Sequence, residues 1–179
     1  SARRAGGTAP LVAHARQINE RMPARVAEAV IAALDERASR QPDAARSGSG
    51  AAPTVLVLGL SYKPDSSSLE GTPSRSVVDR LERRCVRVVG HDPLVDPDAA
   101  SDRLGIDVLP AIEDASADAV LALLGHEAFT SLTLDDVRAA TTREPIVVDL
   151  PGLFDPRGDE SGDGGGDGDV VYRGIGDVP

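Results

Sequence analysis

A near-continuous apolar run at residues 55–60, VLVLGL, constrains the fold of this chain more than any other segment. Such runs are typical of parallel strands, which are buried on both faces of their sheet. A second valine-rich run, VRVV at 86–89, is expected to be a strand and ends at the turn Gly90-His91-Asp92-Pro93. Between the runs, Thr72 and Pro73 are typical of a helix N-cap and first helical residue. The segment therefore predicts a β-α-β unit with parallel strands and a right-handed crossover.

The rest of the chain continues the alternation of strands and helices. Strands are expected at 106–109, 119–124 and 146–149, with a closing edge segment at 170–175. Helices are expected at 110–117 and at 134–140, the second capped by Thr133. This order predicts an α/β fold, a Rossmann-like doubly wound parallel sheet.

A long helix is expected ahead of the sheet, because apolar residues recur there at three- and four-residue spacing. They are Leu11, Ala15, Ile18, Met22, Val26, Ala29, Val30, Ala33 and Leu34. Pro23 is expected to kink or restart this helix. The stripe fits core packing within one chain or, since a small domain covers little of so long a helix, a homodimer interface. The expected organisation is a helical region at 9–40, a linker at 41–53 and an α/β domain at 54–179.

The charge balance excludes some partners. Asp and Glu number 29 against 19 Lys and Arg, for a net charge of −10. Such a surface repels nucleic acid and anionic membranes, so neither is an expected partner. It also suits a protein dissolved in concentrated salt. One cysteine and the lack of an apolar run of membrane-spanning length favour a reducing cytoplasm.

The acidic, glycine-rich segment at 158–169, GDESGDGGGDGD, has two interpretations. As a calcium loop it lacks the terminal Glu of an EF-hand and matches a glycine-rich calcium repeat only in a single imperfect copy. A solvated loop is the favoured interpretation, and no metal site is predicted.

Lys63 is the best candidate for a ligand contact. It is the only lysine, and it follows the first strand at its carboxyl end, where open α/β sheets bind ligands. Asp92 follows the second strand, where an acid hydrogen-bonds to the cofactor ribose in dinucleotide-binding folds. Because Gly59 stands alone where such folds need G-x-G-x-x-G, Asp92 is more consistent with a structural turn acid.

The other candidate side chains have structural interpretations. His91 and His126 have no nucleophile near them in the pattern, so packing and hydrogen bonding are expected of both. Cys85, between a helix end and a strand, is expected to be a small buried residue. No catalytic residue is predicted.

Four segments resemble, in order, the C-terminal nucleotide-sugar-binding domain of the UDP-glucose/GDP-mannose dehydrogenase family. They are LGLSYKPDSSSLEGTP at 58–73, VRVVGHDP at 86–93, ASADAVLALLGHEAF at 115–129 and IVVDLPGLFD at 146–155. The segment at 11–34 resembles the end of the family's central helical domain, which forms the subunit contact. The resemblance implies that Tyr62 and Lys63 contact a UDP-sugar, with Lys63 facing diphosphate or sugar-acid oxygen and Tyr62 packing at the pocket edge.

The resemblance also implies an activity for the whole enzyme. Members of the family oxidise the C6 alcohol of a nucleotide sugar, such as UDP-glucose or UDP-N-acetyl-mannosamine, to a carboxylate with NAD. These 179 residues contain neither the NAD fingerprint nor the family's cysteine segment, so this chain is not expected to bind NAD or to catalyse the reaction alone.

Two departures from the family pattern open an alternative. Glu70 stands where the family has an arginine that reaches a cofactor phosphate, and Pro151 replaces a second arginine. A degenerate, non-catalytic binding or scaffold module of the same fold is therefore the alternative. A stand-alone Rossmann-like protein of another chemistry is a third, which the missing glycine fingerprint disfavours.

Overall fold

In the part of the chain that the structure describes, six parallel strands form one sheet in the order β3-β2-β1-β4-β5-β6. The computed structural model describes residues 10–40, 51–155 and 170–174. The strands are β1 (Thr54–Leu58), β2 (Arg87–His91), β3 (Asp107–Val108), β4 (Ala117–Ala122), β5 (Thr141–Asp149) and β6 (Val171–Gly174). This is the doubly wound order of Rossmann-like folds, which confirms the predicted fold class.

Within the described residues, one α-helix precedes the sheet, and three α-helices and two 3-10 turns lie between its strands. The helices are α1 (Pro10–Arg40), α2 (Ser74–Glu82), α3 (Pro97–Leu104) and α4 (Leu134–Ala139). The 3-10 turns are Ile112–Asp114 and Glu127–Ser131. Strand β6 confirms the closing edge segment, although Ile175 lies outside the described residues.

The sheet is buried on both faces, and β1 shows why its sequence is apolar throughout. Val55 and Val57 point into a core shared with α1, α2 and α3. Leu56 and Leu58 point the other way, into a second core that contains Phe129 and Phe154. Because successive side chains of a strand alternate between faces, a strand covered on both sides has no polar position.

Helix α1 continues through Pro23 without a restart. From Val26 to Leu34 its apolar stripe packs into the chain's own core, where Val26 and Val30 are fully buried. Core packing within one chain is therefore the correct interpretation for this half of the stripe. The side chains of Leu11, Ala15 and Ile18 lie outside those that the structure describes, so the dimer expectation there stays a prediction.

Sequence reasoning missed α3 and placed a helix wrongly at 110–117. Helix α3 carries ordinary end signals: the Asp96 side chain accepts a hydrogen bond from the N–H of Ala99 at 2.9 Å, and Pro97 follows as the first helical residue. Only the 3-10 turn Ile112–Asp114 forms in the second segment, because β4 already begins at Ala117 and leaves no room for a longer helix.

The expectation that Cys85 is buried is wrong. Cys85 is exposed, with a left-handed φ of 57°. Its N–H bonds to the carbonyl of Glu82 at 2.9 Å, and the N–H of Val86 bonds to the carbonyl of Leu81 at 3.1 Å. These two bonds define a Schellman end for α2, whose left-handed position is usually a glycine and turns the side chain outward here.

Candidate functional site at the carboxyl edge of the sheet

The carboxyl ends of β1 and β4 meet where the strand order reverses. In open α/β sheets, ligands bind at this position. Gly59, just past β1, has a φ of 82°, and a Cβ there would lie 2.5 Å from the carbonyl oxygen of Leu124. Because the two strand ends approach so closely, only glycine fits, and the chain is then directed into the loop at 60–73.

Asp92 fixes the backbone at the start of this loop by accepting hydrogen bonds. Its Oδ2 accepts hydrogen bonds from the N–H groups of Leu60 at 2.8 Å and Ser61 at 3.0 Å. Its Oδ1 accepts from the N–H of Leu94 at 3.0 Å. The carboxylate is fully buried, so the interpretation of Asp92 as a structural turn acid is confirmed.

The same geometry decides whether NAD fits this edge. A dinucleotide site of this fold needs a glycine-rich turn after β1 and a free acid after β2 for the ribose. Gly59 is the single glycine of the turn, and the oxygens of Asp92 are occupied by the protein's own backbone. The residues of this edge do not fit NAD.

His126 lies between Asp92 and the far side of the loop, and its ring is 1% exposed. Its Nδ1 accepts a hydrogen bond from the N–H of Asp65 at 2.9 Å. Since an amide can only donate, Nδ1 carries no proton, and Nε2–H donates to Oδ2 of Asp92 at 3.0 Å. The ring also packs on Phe129 at 5.3 Å between centroids. The expected packing and hydrogen-bonding role is confirmed.

His91 has a similar structural role. Its Nδ1 lies 3.0 Å from the carbonyl oxygen of Leu109, and its ring packs on Phe129 at 6.0 Å between centroids.

Two hydroxyl groups close the loop at its other end. The Oγ1 of Thr72 donates to the carbonyl of Leu60 at 2.7 Å and accepts from the N–H of Ser74 at 3.1 Å. Ser74 Oγ also bonds to the Leu60 carbonyl, at 3.0 Å. The helix begins at Ser74 and its N-cap position is Pro73, which makes no side-chain cap bond. The predicted cap, Thr72, therefore lies one residue earlier, although its Oγ1 still accepts from the first helical N–H. Sequence reasoning did not find the second hydroxyl, Ser74.

Lys63 and Tyr62 lie on the outside of the loop that these groups hold. The N–H of Tyr62 bonds to the carbonyl of Ser68 at 2.8 Å, and Ser61 Oγ donates to the carbonyl of Lys63 at 3.1 Å. Both side chains are exposed. The expectation that Tyr62 packs is wrong for the described residues, because 57% of the residue is exposed. A contact of either residue with a ligand stays a prediction.

Asp149, at the end of β5, accepts hydrogen bonds from backbone N–H groups of the following loop, as Asp92 does after β2. Its carboxylate accepts from the N–H groups of Gly152 and Phe154 and from the hydroxyl of Tyr172, each at 2.9 Å. Sequence reasoning missed this residue, although an acid directly after an apolar strand was the available signal. Pro151 is exposed within the loop that Asp149 shapes, and Glu70 is exposed on the loop after β1.

Two cavities lie away from this edge. One, of 320 Å³, is lined by Glu82, Arg87 and Asp107 among others, and the other, of 420 Å³, by Pro53, Arg84 and Cys85 among others. Arg87 and Asp107 begin β2 and β3, so the cavities lie at the amino ends of the strands. We assign the site from the polar groups at the carboxyl edge, because parallel sheets bind ligands there.

Within the described residues, no group of three or more His, Cys, Asp or Glu side chains is placed to hold a metal ion. Of the described helices, none is long and apolar enough to cross a membrane.

Residues 56–156 match the model of the UDP binding domain of the UDP-glucose/GDP-mannose dehydrogenase family. The match runs from within β1 to the loop after β5, and β6 lies outside it. The chain belongs to this family, as its sequence motifs indicated.

Named relatives agree with this assignment. The chain is 30% identical over 137 residues to a UDP-glucose 6-dehydrogenase of Rhizobium meliloti, covering 74% of this chain and 31% of that protein. It is 30% identical over 139 residues to a UDP-N-acetyl-D-mannosamine dehydrogenase of Pyrococcus horikoshii, covering 78% of this chain and 29% of that protein. The chain therefore spans about a third of the length of these relatives.

Solved structures show the same fold. An NDP-N-acetyl-D-galactosaminuronic acid dehydrogenase of Methanosarcina mazei superposes with a TM-score of 0.70 at 25% identity, covering 98% of this chain and 34% of that one. A UDP-D-ManNAc dehydrogenase of Pyrococcus horikoshii superposes with a TM-score of 0.67 at 24% identity, covering 98% and 35%.

Proposed function

We propose that this chain is the nucleotide-sugar-binding C-terminal portion of an NAD-dependent UDP-sugar 6-dehydrogenase. The substrate is of the UDP-glucose or UDP-N-acetyl-mannosamine type, and the whole enzyme oxidises its C6 alcohol to a carboxylate. The family match and the names of the relatives support this proposal. The observation that carries it is the loop after β1, which buried polar groups hold at the switch point with Tyr62 and Lys63 outermost.

Lys63 supplies the charge that a diphosphate requires. Its ammonium is a compact cation on a flexible stem, and it lies on a loop whose backbone is fixed by Asp92 and Ser61. The neighbouring exposed acids, Asp65 and Glu70, oppose an anion. Binding by this chain alone is therefore expected to be modest, with one strong charge-assisted contact.

Calorimetric titration of the chain with UDP tests the proposal. We expect micromolar binding of UDP and no measurable binding of uridine, which lacks the phosphates. Equal binding of uridine and UDP would show that the diphosphate does not contribute to binding. No heat of binding with UDP would overturn the proposed function.

A degenerate, non-catalytic module is the second candidate, because Glu70 and Pro151 replace two family arginines. Both are exposed at the carboxyl edge, where the lost cations would face a ligand. Restoring them as Glu70→Arg and Pro151→Arg separates the candidates. A chain that binds UDP only after these changes is a degenerate module, whereas a chain that already binds UDP is not.

We also propose that the first half of α1 mediates a homodimer. The stripe members Leu11, Ala15 and Ile18 continue the apolar spacing of the sequence ahead of the buried stretch at 26–34. Ile18→Asp is expected to give a folded monomer, and Glu28→Lys, on an exposed position, is the control that keeps the dimer. Sedimentation that shows a monomer for the unmutated chain would contradict the proposal.

We propose a salt-rich setting from the acidic composition and a reducing cytoplasm from the single cysteine. With a net charge of −10, self-repulsion opposes the compact state at low ionic strength, and salt screens it. The melting temperature is expected to rise as KCl increases from tenths of molar to molar. A flat or falling curve would contradict this adaptation.

A further inference from the structure

The conformation of the loop after β1 depends on one ring nitrogen of His126. Nδ1 accepts the hydrogen bond from the N–H of Asp65 at 2.9 Å, and Asp65 has a left-handed φ of 54°. The carboxylate of Asp65 in turn accepts from the N–H of Glu127 at 2.8 Å. Two hydrogen bonds of opposite direction thus join Asp65 to the segment 126–127.

This lock requires a neutral ring. Nε2–H is committed to Asp92 at 3.0 Å, so the nitrogen that accepts from Asp65 is the only site for a second proton. When that proton is added, Nδ1 becomes a donor and faces the N–H donor of Asp65. Two donors cannot share a hydrogen bond, so the backbone at Asp65 must move.

We propose that His126 is a positioning residue that holds the loop with Lys63 in its binding conformation, and that it does so only while its ring is neutral. The inference rests on the proposed function, because it assigns the purpose of the loop to nucleotide-sugar binding. Lys63 lies two residues before Asp65, and the carbonyl of Lys63 accepts a hydrogen bond from Ser61 Oγ. A shift of the backbone at Asp65 therefore displaces Lys63 and disturbs this bond.

The charged and titratable groups around the ring determine where the loop would go. Asp92, from the end of β2, faces Nε2, with the hydroxyl of Ser61 at 3.4 Å from the same nitrogen. The carboxylate of Asp65 lies 3.9 Å from Nδ1. The rings of His91 and His126 both pack on Phe129, at 6.0 and 5.3 Å between centroids. A protonated Nδ1 attracts the Asp65 carboxylate, which then releases the N–H of Glu127, so protonation unlocks the loop on both sides.

Two substitutions separate the two nitrogens. In His126→Asn the side-chain oxygen replaces Nδ1 as the acceptor for Asp65 and cannot be protonated. In His126→Gln the amide N–H replaces Nε2–H toward Asp92 and leaves the N–H of Asp65 without its acceptor. Loss of that acceptor is expected to weaken ligand binding roughly tenfold.

UDP-glucose is the probe, because its diphosphate is a diester and does not titrate near neutral pH as a terminal phosphate does. We expect the unmutated chain to bind UDP-glucose more weakly as pH falls and His126 gains its second proton. His126→Asn is expected to bind at nearly the unmutated affinity without this pH dependence, and His126→Gln is expected to bind weakly throughout. Equal pH profiles for the unmutated chain and His126→Asn would overturn the proposal.

A ligand-free measurement keeps this test separate from the proposed function. In NMR spectra of the unmutated chain, the amide signals of residues 62–66 should shift with the same midpoint as the His126 ring. Amide signals that stay fixed while the ring titrates would overturn the positioning role. Loop signals that follow the ring while UDP-glucose fails to bind would support the lock and overturn only the proposed function.

Discussion

The two ends of the sheet use their polar groups differently. At the carboxyl edge, the side chains of Asp92 and His126 are fully buried, and both accept hydrogen bonds from backbone N–H groups of the loop after β1. At the amino edge, Asp118 forms a partly buried ion pair with Arg37 at 3.0 Å and accepts from the N–H of Thr54 at 2.9 Å. The second arrangement ties α1 to the sheet. The arrangement at the carboxyl edge fixes the conformation of a loop, as a binding site on that loop requires.

Residues with left-handed φ show the same contrast. Asp65, at the carboxyl edge, uses both its N–H and its carboxylate to bind the neighbouring segment. Cys85, at the amino edge, uses its N–H to end α2 and turns its thiol to solvent. Backbone strain of about 1–2 kcal/mol is tolerated at both positions, but only at the first does the side chain contribute to the structure around it.

Asp92→Ala is the change with the largest expected effect on stability. It leaves three buried donors and one partly buried donor without their acceptor, and we expect a loss of about 3 kcal/mol or more in the free energy of unfolding. The matched change at the other edge, Asp118→Ala, is expected to cost about 1 kcal/mol. Urea denaturation measures both, and equal losses would remove the distinction between the edges.

Lys63→Ala is expected to reduce UDP affinity about tenfold or somewhat more, because one charge-assisted contact to phosphate is worth roughly 1.5–3 kcal/mol. Its exposed side chain makes the free energy of unfolding insensitive to the change. Arg87→Ala, which removes an exposed cation of the amino edge, is the matched control and should leave UDP affinity unchanged. If calorimetry gives the same affinity for both variants, Lys63 is not part of the site.

Thr133→Ala tests an exposed polar cluster at the carboxyl edge, where α4 begins. The side chain and then the backbone of Thr133 hydrogen-bond to Asp136 and hold the pKa of that carboxyl below its ordinary value of 3.8. The stabilisation is therefore complete above the ordinary pKa and is lost as pH falls through the lowered one. We expect a cost of about 1 kcal/mol at neutral pH, and thermal unfolding should show this difference shrinking in strong acid.

Cys85→Gly and Asp65→Gly have the smallest expected effects, and their signs differ. Glycine at the first position relieves left-handed strain that no side-chain contact offsets, so a gain of about 0.5 kcal/mol remains after the entropy of the unfolded chain is counted. Glycine at the second position also removes the acceptor for Glu127, so no gain is expected. A stability gain at Asp65 equal to that at Cys85 would show that the Asp65 carboxylate contributes nothing.

The fold could be predicted because its signal is local. Apolar runs buried on two faces mark β1, β4 and β5, and the Thr133 cap marks α4. The buried network could not be predicted, because Asp92 and His126 are 34 residues apart and nothing in either segment indicates the other. The burial of residues 26–34 on α1 likewise depends on which face of the sheet this helix covers. The exposure of Tyr62 depends on the course of the loop, which hydrogen bonds to Asp92 and Ser68 determine.

Mapping UDP onto the chain by amide NMR tests most directly whether the carboxyl edge is the binding site. We predict that UDP shifts the signals of residues 59–71 and 123–126, and that the shifts fall sharply in Lys63→Ala at the same UDP concentration. Shifts confined to the cavities at the amino edge, around Arg84 or Arg87, would contradict the account.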